Sequence, residues 1–165
     1  DGSPALGSML DDIPAIFAAL GLPPEQVVVF GRSVGSIYAI EAARRFPNIA
    51  GLVLESGIHD VLERLLLRVQ PQELGVSLEE LRQEVDARLN PRAKLAGFAG
   101  PMLVMHCVQD GLVDMSHAER NHAAAPRARS KLVRFSSGDH NSILFANSRR
   151  YAEELDCFLA DCRGA

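Results

Sequence analysis

The sequence predicts an α/β domain with a mostly parallel sheet and helices on both faces. Short apolar runs, typical of buried strands, alternate along the chain with segments of helical periodicity. The runs at 27–30 and 49–54 are apolar throughout, as expected of strands that are covered on both sides. With 165 residues, 47% of them hydrophobic and 23% charged, the chain is long enough for one domain with a full core, which we place at 1–165.

The first third of the chain predicts two helices and two strands. We expect helices over 4–20 and 37–45, and strands over 27–30 and 49–54. Ser3 is a suitable cap for the first helix, whose next residue is a proline. The apolar positions of that helix recur at helical spacing and are Met9, Ile13, Ile16, Phe17 and Leu20.

Residues 57–90 interrupt this alternation, and we predict a small helical insertion there. Its first helix is amphipathic through Val61, Leu62, Leu65 and Leu66. Ser77 and Glu80 form a capping box that opens the second helix. The apolar stripe of this second helix is Leu78, Leu81, Val85 and Leu89.

The alternation resumes in the last third of the chain. We predict strands at 101–106 and 131–135, the second partly alternating polar and apolar residues as a sheet-edge strand does. Between them, Ser116 and Glu119 form a second capping box at the start of a helix. A final helix over 142–162 is expected to bury Leu144, Phe145, Tyr151, Leu155 and Phe158.

The charge and cysteine content argue against several classes of partner. A net charge of −4 and a pI near 5.7 disfavour nucleic acid or an anionic membrane surface as the main partner. The arginine pairs 44–45 and 149–150 are expected to be solvated helix ends. We expect no membrane span and no signal peptide. The cysteines Cys107, Cys157 and Cys162 lack metal-binding spacing, so we expect free thiols in a reducing compartment and a cytoplasmic protein.

The segment Gly31-Arg32-Ser33-Val34-Gly35 carries the strongest functional signal in the sequence. It fits the pattern G-x-S-x-G between a predicted strand and a predicted helix, where this pattern forms a sharp turn with serine at its tip. Such a turn brings backbone segments very close, so we expect both glycines to occupy places where a Cβ does not fit. Ser33 would stand at the carboxyl edge of the sheet, above a helix N-terminus that favours negative charge.

A serine nucleophile needs a base, and the base needs a group that orients it. The sequence offers both at strand ends, because Asp110 follows the strand that ends at His106 and His140 follows the last strand. Ser33, Asp110 and His140 have the chain order serine, acid, histidine. Because parallel strands place their carboxyl ends at one edge of the sheet, we expect the three side chains to meet there.

These motifs resemble the α/β-hydrolase superfamily, most of all its esterase, thioesterase and S33-type peptidase branches. The resemblance rests on the G-x-S-x-G segment, on His106 to Asp110 followed by Val113, and on Asp139-His140-Asn141. It extends over essentially the whole chain. The branch places its acid in an H-G-x-x-D-x-x-V segment, and Cys107 stands where that segment has glycine.

The resemblance implies a role for each of these residues. Ser33 would be the nucleophile, His140 the general base and then acid, and Asp110 the residue that holds the imidazole. The backbone N–H of Val34, the residue after the serine, would be one half of the oxyanion hole. No metal or organic cofactor is implied, because such a triad itself supplies the nucleophile and the proton transfer.

Several of these residues have a structural alternative. Asp110 precedes a glycine and could be a turn aspartate, and His140 could be a loop histidine that makes a turn hydrogen bond. Asp114 is the second choice of acid and Glu55 the third. Cys107 is interpreted as a packed thiol rather than a second nucleophile. The other histidines are interpreted as structural or solvent-facing: His59, His106, His117 and His122.

The sequence departs from the superfamily at its front, because several strands ordinarily precede the nucleophile and Ser33 is near the first residue. Asp1-Gly2-Ser3-Pro4 resembles the tail of the G-x-S-x-G-x-P stretch that enters the helix before the serine turn. We therefore expect the C-terminal portion of a longer hydrolase, with the second oxyanion donor in the missing portion. The strand 27–30 would then have a bare side, or would pair with a missing N-terminal segment, a swapped segment or another chain.

The sequence thus favours a serine hydrolase that cleaves a carboxylic ester, thioester or amide of a small acyl substrate through an acyl-enzyme. An acyltransferase with the same triad is one alternative, since it differs only in what deacylates the intermediate. A non-catalytic binding or interaction protein on the same scaffold is another. The resemblance implies that 57–90 is a helical cap insertion, which overhangs the site as cap helices do in the superfamily. Its leucines then favour an apolar acyl group.

Overall fold

The structure is built on four parallel strands with helices on both faces of the sheet. A computed structural model describes residues 6–164, so the predicted Ser3 cap and the segment 1–4 lie outside the described residues. The strands are β1 (Val28–Arg32), β2 (Gly51–Glu55), β3 (Pro101–Cys107) and β4 (Arg129–Phe135), and they neighbour one another in sequence order. The predicted fold class is confirmed.

Helices lie before, between and after the strands. They are α1 (Ser8–Asp11) and α2 (Ile13–Leu20) before β1, α3 (Gly35–Arg45) after it, α4 (Val61–Leu66), α5 (Leu78–Arg88) and α6 (Pro91–Leu95) between β2 and β3, α7 (Met115–Ala124) before β4, and α8 (Ile143–Ala146) and α9 (Ser148–Arg163) after it. Single 3₁₀ turns lie at Pro24–Gln26 and Pro71–Leu74.

Alternate residues of the central strands point to opposite faces of the sheet, and each face has its own core. Leu52 and Leu54 of β2 pack in a cluster with α2, α3, α6 and α7. Val53 of β2 and Leu103 of β3 belong to a second cluster with α8 and α9. Strands β2 and β3 are buried along their whole length, because a strand between two helical layers must be apolar on both sides.

Residues 57–90 pack on the rest of the chain through a third apolar cluster. Val61 of α4 and three of the four predicted stripe residues of α5 are buried in it, against Leu10, Ile37 and Val113. Leu78, the fourth stripe residue, is exposed. The predicted capping box is present: Glu80 N–H donates to the Ser77 hydroxyl over 3.2 Å, and the Glu80 carboxylate accepts from Ser77 N–H over 2.7 Å.

Two predicted helices differ from the structure in their limits. The first is broken at Asp12, where α1 gives way to α2. The second predicted capping box is wrong, because α7 begins at Met115, two residues earlier than a Ser116 cap requires, and Asp114 caps it by accepting from Ser116 N–H over 2.9 Å. Glu119 instead forms an ion pair with Arg134.

The final helix is also two helices, and two of its predicted core residues are outside the core. Asn147 separates α8 from α9, and its side chain donates to the carbonyls of Ser137 and Ile143. Ile143 takes the inward position of the short helix, so Leu144 and Phe145 are exposed, Phe145 at 83%. Among the remaining predicted residues, Tyr151 and Phe158 are buried and Leu155 is half-buried.

Arg44 and Arg45 are more than solvated helix ends, because both bond the buried carboxylate of Glu41. Lys94 of α6 completes the group with a 2.8 Å contact to the same carboxylate. Burial alone would raise the pKa of Glu41, but its bonds to these three cations outweigh burial and lower the pKa to about 2. The cluster fastens α3 to α6.

We expect Glu41→Gln to lower the free energy of unfolding by ~3 kcal/mol at pH 7, because it leaves Lys94 buried without its anion. The pKa of Glu41 is lower in the folded than in the unfolded chain, so its contribution is complete above the ordinary carboxyl pKa and is lost as the pH falls towards about 2. Urea melts from pH 7 to pH 2 should therefore show the difference between the variant and the parent shrinking. Glu84→Gln, an exposed position with a 3.9 Å contact to Arg88, is the control and should shift stability by no more than about 0.5 kcal/mol.

Strand β1 lies at an edge of the sheet, since β2 is its sole neighbouring strand among residues 6–164. Its Phe30 side chain is 45% exposed. A strand edge with an exposed aromatic residue is a template for pairing with another strand.

We expect the 165-residue chain to self-associate through β1 in a concentration-dependent manner. Phe30→Lys should shift it towards monomer, because a charged side chain on an edge opposes strand addition. Light scattering coupled to size-exclusion chromatography measures the effect. Leu74→Lys, at an exposed leucine on the insertion, should leave the association unchanged, and a monomeric parent chain at high concentration would contradict the prediction.

Candidate active site

Ser33 lies at the tip of a sharp turn between β1 and α3, with a φ of 50° that L-residues rarely adopt. The turn is possible because Gly31 has no side chain. A Cβ there would lie 2.5 Å from Ala39 Cβ and 2.7 Å from Ser36 Cα. Gly35 does not share this constraint, since a Cβ at that position would meet nothing within 4 Å, and the expectation for the second glycine is wrong.

Hydrogen bonds to neighbouring segments hold this turn in place. Ser33 N–H donates to the carbonyl of Glu55 at the end of β2 over 2.9 Å. The hydroxyl of Ser36 donates to the Ser33 carbonyl over 2.6 Å and accepts from Ile58 N–H over 2.9 Å. The strained conformation is therefore fixed from two sides, by β2 and by the segment that follows it.

The structure joins the side chains of Ser33, His140 and Asp110 in one hydrogen-bonded chain. Their positions at strand ends had led us to expect that they meet. The Ser33 hydroxyl lies 2.9 Å from His140 Nε2, and His140 Nδ1 lies 2.8 Å from Asp110 Oδ2. Because a carboxylate only accepts, Nδ1 carries the proton and Nε2 is the free acceptor for the serine O–H. His140 and Asp110 are both buried.

Asp110 is at once a turn residue and the partner of the histidine. Its Oδ1 accepts from Leu112 N–H over 2.9 Å and from Val113 N–H over 2.8 Å, which leaves Oδ2 for His140. Burial alone would raise the pKa of Asp110. The hydrogen bonds from Val113, His140 and Leu112 outweigh burial and hold the pKa below its ordinary value, so the carboxyl is ionised at neutral pH.

The alternative acids have other partners. Asp114 is exposed and caps α7. Glu55 is buried, and its carboxylate accepts from the Tyr151 hydroxyl over 2.5 Å and pairs with Arg32 over 2.9 Å. Cys107 is buried and donates to the Ser137 carbonyl over 3.3 Å. Burial, with the charges of nearby carboxylates, raises the pKa of this thiol to about 11, so it is un-ionised at neutral pH.

The remaining histidines contact other parts of the structure. His106 Nε2 lies 2.8 Å from the Val113 carbonyl and 3.4 Å from Asp110 Oδ2, behind the acid. His117 accepts from His59 N–H, and His59 lies 2.9 Å from the Asn121 side chain. His122 bonds Ser130 over 2.7 Å. These contacts join the insertion to α7, the acid loop to β3, and α7 to β4.

The sequence analysis missed Arg32, which links the serine turn to the histidine loop. Its guanidinium donates to Glu55, to the backbone carbonyl of His140 over 2.6 Å, and to Asn141 Oδ1 over 3.0 Å. A signal was available, since Arg32 and Glu55 end neighbouring parallel strands and carry opposite charges, and the register pairs them directly. Tyr151 was predicted as an apolar core residue, yet a buried hydroxyl needs a partner and finds it in Glu55.

A cavity of about 220 Å³ opens beside the Ser33 hydroxyl. Most of its lining is apolar, and the described residues that line it are Leu6, Ser33, Val34, Ile37, Ile58, Val61, Arg64, Leu65, Arg68, Leu112, Val113 and His140. The backbone N–H of Val34 has no acceptor within residues 6–164 and precedes the first residue of α3. An N–H at a helix start favours a negative oxygen beside it.

The described part of the chain shows neither a metal cluster nor a membrane-crossing helix. No cluster of three or more histidine, cysteine, aspartate or glutamate side chains in residues 6–164 is arranged to hold a metal ion. None of the helices in this range combines the length and the apolar character that a bilayer crossing requires.

The comparisons with known proteins agree with the fold. No family model matches the chain. Alpha/beta hydrolase domain-containing protein 17C of Mus musculus is 26% identical over 164 residues, covering 96% of this chain and 46% of that protein. The chain thus spans about half the length of such relatives. Phosphatidylserine lipase ABHD16A of Bos taurus is 28% identical over 95 residues, 57% of this chain and 16% of that protein. The solved esterase domain from Rhodothermus marinus superposes with a TM-score of 0.67 at 16% identity, over 97% of this chain and 70% of that one.

We expect Arg32→Met, combined with Glu55→Gln so that no buried carboxylate loses its cation, to slow the reaction of Ser33 with a fluorophosphonate probe. Without the guanidinium, the His140 loop is less well placed, and a displacement of about 1 Å costs roughly 100-fold in rate. The readout is the second-order labelling rate, with a thermal melt to show that both proteins are folded. Arg134→Met, which breaks an exposed pair with Glu119, is the control; equal labelling rates in all three proteins would contradict a positioning role for Arg32.

Proposed function

Since the chain has the α/β-hydrolase fold and is related in sequence to α/β-hydrolase domain-containing proteins, we propose that it is a serine hydrolase that cleaves a carboxylic ester, thioester or amide. Ser33, His140 and Asp110 would form its catalytic triad. The reaction would pass through an acyl-enzyme on Ser33.

One observation carries this proposal: the unbroken hydrogen-bonded chain from the Ser33 hydroxyl through both nitrogens of His140 to Asp110. A glycine-serine turn with a merely structural role would have no need to meet a histidine that a buried carboxylate orients. The strained φ of Ser33 adds to the argument, because strain of this kind is retained where the surrounding structure uses it.

In the first half of the reaction, the Ser33 oxygen attacks the carbonyl carbon of the substrate, and His140 Nε2 accepts the hydroxyl proton. The negative charge that develops on the carbonyl oxygen would be stabilised by Val34 N–H at the start of α3. Asp110 stabilises the positive charge on the imidazole and does not take up the proton, in keeping with its lowered pKa.

His140 then gives this proton to the leaving group, which departs as the acyl-enzyme forms. In the second half, a water molecule attacks the acyl-enzyme and gives a proton to His140. His140 passes this proton to the Ser33 oxygen as its bond to the acyl group breaks, and the acid product leaves with Ser33 restored. Loss of one oxyanion donor such as Val34 N–H costs roughly 10²–10³ in rate.

The cavity beside Ser33 supports an acyl substrate of modest size. Its lining is mainly apolar, and its volume of about 220 Å³ is below the range of ~300–1,000 Å³ that suits drug-sized ligands. Val61 and Leu65 of α4 form part of this wall, so residues 57–90 would act as the cap of the site. The name of the relative ABHD16A, a phosphatidylserine lipase, is consistent with hydrolysis of an acyl ester.

We expect Ser33→Ala to abolish both fluorophosphonate labelling and the hydrolysis of p-nitrophenyl esters, with a loss in kcat of roughly 10⁶-fold. Asp110→Asn should lower kcat by roughly 10⁴-fold, because the amide can donate to His140 and favours the wrong tautomer. Far-ultraviolet circular dichroism checks that each variant is folded.

Asp114→Asn is the matched control, because this neighbouring carboxylate caps α7 and does not contact His140. It should keep the turnover of the parent within a few fold. A folded parent protein that neither reacts with the probe nor hydrolyses any ester would favour the non-catalytic binding protein. Turnover that is unaffected by Asp110→Asn would show that the acid is assigned to the wrong residue.

A further inference from the structure

Two arginines face the cavity beside Ser33. Arg64 lies in α4 and Arg68 in the turn that continues it, where Arg68 N–H donates to the Leu65 carbonyl. Within residues 6–164 neither guanidinium has a hydrogen-bond or ion-pair partner, and no carboxylate side chain lines the cavity. The site therefore combines apolar walls with two unpaired cations.

The acidic residues at the start of α4 do not neutralise these arginines, because they have partners on α7. Glu63 contacts His117 and Arg120, and Asp60 contacts Arg120. The charges of the helix are thus sorted by face, with the acids towards α7 and the two arginines towards the cavity.

The spacing of the cavity-facing residues shows that the arginines belong to the same wall as the apolar side chains. Val61, Arg64, Leu65 and Arg68 follow the i, i+3, i+4, i+7 pattern of one helix face. Arg64 and Arg68 are four residues apart, where like charges on a helix repel each other. An anion between the two guanidinium groups would relieve this repulsion and form charge-assisted hydrogen bonds with both.

We infer that the substrates of this site carry an anionic group, a carboxylate or a phosphate, beside their apolar portion, and that Arg64 and Arg68 bind it. This inference rests on the proposed hydrolase function and specifies its substrate class. The chain as a whole has a net charge of −4 and repels anions at a distance, so the two arginines supply a local attraction where the carbonyl must be positioned.

Three chromogenic esters of the same acyl length test the inference. One is p-nitrophenyl octanoate, which is neutral. The second is the mono-p-nitrophenyl ester of suberic acid, with a carboxylate at the far end of the acyl chain. The third is a nitrophenyl octanoate with a carboxylate on the phenyl ring, which places the anion on the leaving group.

We expect kcat/KM for at least one anionic ester to exceed that for the neutral ester by about tenfold or more, once the rates of uncatalysed hydrolysis are subtracted. The ester that is preferred shows whether the anion belongs to the acyl group or to the alcohol. In the double variant Arg64→Gln/Arg68→Gln the ratio of kcat/KM for the preferred anionic ester to kcat/KM for the neutral ester should fall to about one. The preference should also weaken as the salt concentration rises, because Arg68 is exposed to solvent.

Arg149→Gln removes one positive charge near the far end of the chain, at a side chain that is 92% exposed, and should leave the preference intact. Equal hydrolysis of all three esters by the parent protein would overturn the inference and leave the proposed function standing. A preference that survives the double variant would also overturn it. Failure to hydrolyse any of the esters would instead count against the hydrolase function itself, and the inference would fall with it.

Discussion

The close approach of α3 to the end of β1 determines the rest of the site. A side chain at position 31 would collide with Ala39 and Ser36, so the close approach is possible only with glycine there. The approach forces the chain to turn sharply at Ser33. Backbone strain of this kind costs about 1–3 kcal/mol. The hydrogen bond from Ser33 to Glu55 and the bonds of Ser36 to both sides of the turn offset this cost. The serine is therefore held by the backbone of its turn and by the Ser36 hydroxyl, and the side chains of His140 and Asp110 have to reach it.

They reach it by a combination of topology and local hydrogen bonding. Four parallel strands in sequence order place their carboxyl ends along one edge, which brings the loops of Asp110 and His140 to the same place as Ser33. The remaining adjustment is local. Backbone N–H groups fix one oxygen of Asp110 and leave the other for the histidine, while Arg32 holds the loop of His140 through its carbonyl.

The parallel sheet and the meeting of Ser33, His140 and Asp110 could be predicted from the sequence, because each depends on patterns that lie close together along the chain. A run of apolar residues followed by a turn motif is sufficient to place a strand end. The link from Arg32 through Glu55 to Tyr151 joins residues more than a hundred positions apart, and no local pattern reveals which oxygen the tyrosine hydroxyl will find. Phe145 also fits a local pattern, the apolar stripe of a helix, but it is exposed because Asn147 ends α8.

Two other predictions were wrong because two residues fitted the local sequence pattern equally well. Ser116 and Asp114 are both good helix caps, and the position of the first turn of α7 decides in favour of Asp114. Gly31 and Gly35 are equivalent in the motif, yet one faces a packed helix and the other faces open space. Such choices depend on the distance between elements, which becomes defined only when the sheet and its helices are assembled.

The bond between Tyr151 and Glu55 has a consequence for how the protein responds to its surroundings. Burial, and then the adjacent carboxylate, raise the pKa of the tyrosine hydroxyl, so it keeps its proton at any pH that a cell maintains. Tyr151 therefore remains a hydrogen-bond donor to Glu55 throughout that range. Through Glu55 and Arg32 it acts as a passive support of the histidine loop, one that a physiological change in acidity does not withdraw.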